Sequence, residues 1–355
     1  MTVKAIPTTV FRPRSLEAFH HARQRSLHMG ESEIVEWDRV DVLGPDIEDK
    51  HTLSQLARMA GNAYALPGQN NWYEVDLAWN TSFPFGWKEG DGFRGHVFLS
   101  SDNSTAILSI KGTTLQGPTS KLDKFNDNLL FSCCCARVDI TWVFRTVCDC
   151  YAHNWRCDDS CLTKALVQDS LFYSIGVKLV DDLLHIYPSA NIWLVGHSLG
   201  GAVASLLGST YGLPAVAFES PGERLAASRL HLPLPRPENG STVAPVAVTH
   251  IYHTGDPIPQ GACTGFGSAC AQAGFALETR CHLGKSMVFD TVGKLGWRVD
   301  VRKHVIRQVI TKVLEIDDIE WEDGRMLPLA QAEEDCIDCY KWEFGNFNNP
   351  DGEQL

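Results

Sequence analysis

Runs of apolar residues recur along the middle of the chain, and the stretches between them carry helical spacing. Between His51 and Ala65, the residues Leu53, Leu56, Ala57 and Ala60 share one helical face. Strand-like runs follow at Phe93–Leu99 and Ala106–Ile110, the second leading directly into Lys111-Gly112-Thr113-Thr114. A long amphipathic helix is expected from about Leu162 to His185, with Phe172, Ile175, Leu179 and Leu183 on its face and Tyr187-Pro188 ending it. Next come a short apolar strand at Asn191–Val195 and a small-residue helix at Ala202–Leu207. Further strands are expected at Ala215–Phe218, Val246–Tyr252 and Lys285–Phe289, and a helix from Asp300 to Leu314. Strands alternating with helices predict an α/β fold, a mainly parallel central sheet with helices on both faces. Residues 1–50 read as a polar, irregular segment with a helix near Ser15–Leu27, and residues 51–314 as the α/β domain. Within that domain residues 117–161 show little regular pattern, and residues 315–355 read as an acidic surface tail.

Composition narrows the class. The 355 residues are 44% hydrophobic and 21% charged, enough to bury a sizeable core. A net charge of −12 excludes a general nucleic-acid partner, which needs a basic face, and simple electrostatic capture by anionic membranes. An apolar surface is left as the route to lipid. Seven of the 12 cysteines fall between Cys133 and Cys161, and Asn80, Asn103 and Asn239 begin N-glycosylation sequons. An even cysteine count with sequons points to an oxidising compartment and several disulfides. His153 is the single histidine within that cysteine run and no paired CxxC spacing occurs, so no metal site is expected. Met1 to Gly30 does not read as a signal peptide, because Arg12, Arg14, His20, His21 and Arg25 interrupt any apolar stretch. No run of about 18 apolar residues occurs, so no transmembrane segment is expected. A secreted reading therefore expects a targeting segment removed or lying upstream.

The chemistry centres on Gly196-His197-Ser198-Leu199-Gly200. A serine hydroxyl attacks an acyl carbon only when a base takes its proton and the backbone exposes it. A sharp strand-to-helix turn exposes it, and small residues two positions either side make the turn possible. Here the apolar strand precedes the motif and Gly201, Ala202 and Ala204 follow it, which makes Ser198 the candidate nucleophile. The new helix offers the Leu199 N–H to an oxyanion, and the loop after the Ala106–Ile110 strand offers Thr113. The acid is expected next in the chain and the base last. Asp256, just beyond a buried strand, is the favoured acid, with Asp290 as alternative; His304 is the favoured base, with His282 as alternative. His197 is expected to pack or hydrogen-bond locally. No cofactor is required by such a site.

With those residues in place, the chain resembles the fungal class 3 lipases, and within them the vacuolar lipases that degrade autophagic bodies. The resemblance runs from about residue 51 to 347. It is carried by Ala57-Arg58-Met59-Ala60-Gly61-Asn62-Ala63-Tyr64, Trp87-Lys88-Glu89-Gly90-Asp91-Gly92-Phe93-Arg94-Gly95 and the cysteine-dense insertion, by Leu295-Gly296-Trp297-Arg298-Val299-Asp300-Val301-Arg302, and by Cys336 and Cys339 with Tyr340, Trp342, Glu343 and Phe344. It implies an α/β-hydrolase fold of the class 3 lipase type and the triad Ser198, Asp256 and His304. It also implies a phospholipase and lipase acting on membrane phospholipid in the vacuole lumen, reached through the secretory and multivesicular-body route. An N-terminal anchor belongs to that family, and these residues do not include one. Residues 117–161 are the candidate lid, with Leu129, Phe131, Trp142 and Phe144 turning toward a bilayer in a peripheral contact. Another serine esterase, an acyltransferase and an inactive lipid-binding relative are the competing readings.

Overall fold

The computed structural model describes residues 2–79, 81–87, 92–115, 117–134, 148, 150–166, 171–238, 240–264 and 268–347. The N-terminal region is ordered, contrary to the irregular segment expected. Strands β1 (Ala5–Pro13) and β2 (Trp37–Pro45) pair antiparallel along their whole length, and α1 (Leu16–Met29) joins them. Ser15 caps α1 by accepting the Ala18 N–H, and Gly30 closes it with φ 67°. These strands carry prolines and charges and keep most side chains exposed or half-exposed, so no clean alternation marks them.

Helix α2 (Lys50–Asn62) starts at Asp49, whose carboxylate accepts the Thr52 N–H. The elements that follow are β3 (Thr81–Phe85), β4 (Gly95–Leu99), β5 (Thr105–Ile110), α3 (Ser120–Phe131), β6 (Arg156–Asp158), α4 (Asp159–Leu166) and α5 (Phe172–Ile186). Then come β7 (Asn191–His197), α6 (Leu199–Tyr211), β8 (Ala215–Phe218), α7 (Arg224–Arg229), β9 (Val248–His253), α8 (Ala269–Ala273), β10 (Lys285–Phe289), α9 (Thr291–Leu295), α10 (Ile306–Val309) and β11 (Glu343–Gly345).

One sheet runs in the order β10-β9-β8-β7-β5-β4-β3. Strands β5, β7, β8, β9 and β10 pair parallel, and β4 and β3 close one edge antiparallel. The strands' period of two divides the core. Leu108, Leu194 and Ala215 face a cluster that holds α3, α5, α6 and α7 residues, while Ile107, Trp193, Val195 and Val216 face α2 and the segment after His304. Both faces are covered, as predicted, which is why β5 is buried from end to end.

Three local expectations change. The helix expected over Leu162–His185 is divided between α4 and α5, with residues 167–170 outside the described set. The helix expected over Asp300–Leu314 is a 3-10 turn at Val301–Lys303, then α10, then a π turn at Ile310–Leu314. The break falls at His304 and Val305, where Val305 takes extended torsions. The cysteine-rich stretch holds the helix α3, hidden from periodicity because Asp123, Asn126, Asp127 and Asn128 are buried alongside its apolar residues. Five disulfides join described cysteines: Cys133–Cys339, Cys134–Cys157, Cys150–Cys161, Cys263–Cys270 and Cys281–Cys336. Among the described residues no helix is long and apolar enough to cross a membrane.

Candidate active site

Ser198 stands between β7 and α6 with φ 60° and ψ −133°, a conformation an L residue adopts only under constraint. The neighbouring glycines supply the constraint. A Cβ on Gly196 would lie 2.3 Å from the Gly200 backbone, and one on Gly200 would lie 2.2 Å from the Ile110 carbonyl oxygen. The turn is thus pressed against the end of β5, and only hydrogens fit there.

The chain brings the favoured partners to this serine. His304 Nε2 lies 2.8 Å from Ser198 Oγ, and His304 Nδ1 lies 2.6 Å from Asp256 Oδ2. Asp256 is wholly buried just past β9, and its Oδ1 accepts the Ile258 N–H at 3.0 Å. Burial works against its charge, but the pull of His304 outweighs that and holds the carboxyl below its usual range. The alternatives sit elsewhere. Asp290 caps α9 through the Gly293 N–H, and His282 is bound to Glu333 at 2.9 Å. His197 packs locally, as expected: its Nε2 donates to the His304 carbonyl at 2.7 Å and its Nδ1 accepts from the Tyr64 hydroxyl at 2.8 Å. Burial, then the neighbouring His304, pushes its pKa down to about 3, so it is a neutral strut that anchors the His304 backbone.

Across the site lies the loop after β5. Gly112 is required, since a Cβ there would meet the His197 carbonyl and the Tyr64 hydroxyl, each at 2.3 Å. The Lys111 ammonium is fully buried, 2.8 Å from Asp123 and 2.6 Å from the Gly112 carbonyl. Asp123 also accepts the Thr114 N–H at 2.8 Å, so α3 holds the loop by both ends of one ion pair. The Thr113 hydroxyl donates to Asp127. Burial pushes the Asp127 carboxyl up to about 7, against the Thr113 hydrogen bond that favours its charge. Thr113 faces the same groove as Ser198, and Leu199 begins α6.

That groove holds about 680 Å³ and runs past Leu115, Ile258, Phe275, Leu277 and Val305. Leu115 and Val305 are exposed at its rim. Leu129 and Phe131 do not cover it. Both are fully buried in the C-terminal half of α3, packed in the core under the sheet's helices. Trp142 and Phe144 lie outside the described residues, as do Asn80 and Asn239. Asn103 is exposed in the turn between β4 and β5. The sequence reading missed Tyr64, Lys111, Asp123, Asp127 and Glu219. The last carried a signal of the same kind as Asp256, a carboxylate directly after a buried parallel strand.

A strained serine at a strand-to-helix elbow, with imidazole and carboxylate supplied from beyond later parallel strands, makes this an α/β-hydrolase. Residues 109–214 match the family profile "Lipase (class 3)". Curated relatives that carry the lipase name ATG15 include one from Cryptococcus neoformans var. neoformans serotype D (strain B-3501A), 46% identical over 88% of this chain and 71% of its own length. Another, from Saccharomyces cerevisiae (strain S288c), is 46% identical over 88% of this chain and 60% of its own. Among solved structures the chain is similar to the Yarrowia lipolytica Lip2 lipase, with 18% identity, a TM-score of 0.38, and 69% of this chain and 80% of that one covered. The chain belongs to the ATG15 lipase family, class 3 lipases that hydrolyse esters.

Proposed function

We propose that this lipase hydrolyses the acyl esters of membrane phospholipids, in the vacuole lumen, as part of the breakdown of autophagic and multivesicular-body membranes. The observation that carries the reading is the 2.8 Å contact between Ser198 Oγ and His304 Nε2 at the floor of an apolar groove. Ser198 attacks the ester carbonyl while His304 takes its proton and Asp256 holds the imidazole in the productive tautomer. The Leu199 N–H and Thr113 receive the oxyanion. The alcohol leaves with the proton from His304, and water, deprotonated by the same imidazole, releases the fatty acid. An acyl chain fits the groove, and Leu115 and Val305 at the rim give the molecule an apolar contact with a bilayer. N-glycans at Asn80, Asn103 and Asn239, on a disulfide-bonded chain, fit the secretory route.

The test is fatty-acid release from phosphatidylcholine, phosphatidylserine and triacylglycerol dispersions by wild-type and Ser198→Ala protein. Ser198→Ala is expected to lose about 1,000-fold or more in rate while still binding vesicles. Equal release by both proteins removes Ser198 as nucleophile; release from triacylglycerol alone removes the phospholipid assignment.

A further inference from the structure

Glu219 follows the last residue of β8 and is unused by the mechanism above. Its φ is 45°, in the left-handed region that favours glycine. Its side chain is wholly buried. A glutamate that is both strained and buried points to what its carboxyl touches. Oε2 accepts the His253 N–H at 3.4 Å, and Oε1, 3.7 Å from His253 Nε2, has no N–H or hydroxyl partner among the described residues. The charged group that acts most on this carboxyl is Asp256, close enough for one carboxyl to donate to the other when one of them is protonated. Two carboxyls in a hydrogen bond share one proton, and neither of these reaches solvent.

The neighbours decide which of them keeps it. Asp256 receives His304 Nδ1 at 2.6 Å and the Ile258 N–H at 3.0 Å, two donors that stabilise its charge. Glu219 faces weaker company. From β9 come the phenol of Tyr252 and His253, an imidazole held neutral by burial and set against the Lys303 carbonyl. From the 3-10 turn, the Lys303 ammonium lies over the Trp297 ring at 4.2 Å. Beyond Asp256 stands His304. Among the described residues no Lys or Arg pairs with Glu219. Burial first, and then the charge of Asp256, raise its carboxyl well above the usual carboxylate range.

We propose that Glu219 is a positioning residue for the hydrolysis assigned to Ser198, His304 and Asp256. It stays a neutral carboxylic acid that donates a hydrogen bond to Asp256 and keeps one negative charge behind the imidazole instead of two. The proposal rests on the triad reading above. Its consequence concerns pH. A second anion would strengthen the hold of His304 on its proton, and so would loss of the donor, which concentrates charge on Asp256. Either change raises the pH at which the base becomes available.

Four full-length proteins test this: wild type, Glu219→Gln, Glu219→Ala and Glu219→Gly, assayed on p-nitrophenyl butyrate from about pH 4 to 9. Glutamine is neutral and donates through its amide, so it should keep kcat within about threefold and leave the acid limb of kcat/KM in place. Alanine and glycine should lose about tenfold or more in kcat with KM little changed, their acid limb moving up by about half a pH unit or more. Glycine also relieves the left-handed strain, so its thermal midpoint should hold or rise, which separates lost positioning from misfolding. Glycine with a wild-type kcat and acid limb overturns the proposal, as does glutamine failing alongside alanine. A readout free of turnover is the infrared band of a protonated carboxyl at neutral pH. It should be present in Ser198→Ala and diminished in Ser198→Ala/Glu219→Gln; identical spectra overturn the neutral acid. Turnover that survives Ser198→Ala sinks the triad reading, and the band still decides the state of Glu219.

Discussion

At the scale of single residues, two carboxyls of the site are shifted in opposite directions. Asp256 keeps its charge because His304 faces it, whereas Asp127, held up to about 7, is neutral in acid and charged in base. Neutral Asp127 takes the Thr113 hydroxyl without placing charge beside the nucleophile. Ionised, it puts an anion near the spot where the ester oxygen becomes negative, which opposes the reaction. Activity is therefore expected to fall as pH rises through about 7, and Asp127→Asn, which keeps an acceptor, should remove that fall. A kcat/KM profile on a soluble ester reads it out; an unchanged alkaline limb in the variant refutes the assignment. Stability follows the same sign. The unfolded carboxyl ionises near 3.8 and the folded one near 7, so this group's contribution is full below 3.8 and lost as pH rises through 7. The sequence motif located Ser198, and chain order located Asp256 and His304. Asp127 left little trace, because a buried polar residue on a helix is chosen for one partner distant in the chain, and such a choice has no period; Glu219 had the same strand-end signal as Asp256 and was passed over.

Elements show why the oxyanion loop was legible while its support was not. The strand β5 and the turn after it read plainly as an apolar run meeting Lys111-Gly112-Thr113. The support is α3, whose inner face presents Asp123 and Asp127 to that loop, and those polar positions are what erased its amphipathic pattern. The half-exposed pair β1 and β2 was hidden for the opposite reason, too few of its positions being buried. Lys111 and Asp123 are both fully buried, so removing one partner strands the other's charge. Lys111→Met is expected to cost about 3 to 5 kcal/mol, and Lys111→Met/Asp123→Leu to recover part of it. Denaturant unfolding of both variants checks this. A double variant as unstable as the single one would mean the pair is not what fastens the loop to α3.

For the whole molecule, the C-terminal stretch lies on the surface and also works as a clamp. Gln331 pairs with Ser286 in both directions and so covers part of the β10 edge, Trp321 packs on Phe289, and Cys336 and Cys339 tie the stretch to Cys281 and Cys133. Glu333 is its inner pin. Its carboxylate meets His282 Nδ1 at 2.9 Å, the His282 N–H at 2.9 Å and the Ser286 hydroxyl at 2.6 Å. The other ring nitrogen of His282 faces the Ser220 carbonyl at 3.2 Å, so both nitrogens meet acceptors and the ring is held as imidazolium. Burial opposes both charges, but the pair's own attraction prevails, pulling Glu333 down to about 2 and raising His282. The lowered carboxyl stabilises the fold above 4.5, and that part is lost as pH falls toward 2. The raised imidazole stabilises it fully below 6.5, and that part is lost as pH rises through the folded value. Both contributions are complete only between 4.5 and 6.5. Glu333→Gln should therefore cost about 2 to 4 kcal/mol near pH 5 and measurably less near pH 8. Thermal midpoints of wild type and variant at the two pH values give the comparison, and the Asp127 contribution cancels in the difference. An equal loss at both would show that hydrogen-bond geometry, and not charge, holds the clamp, while a larger loss at the alkaline pH would reverse the sign of the pairing.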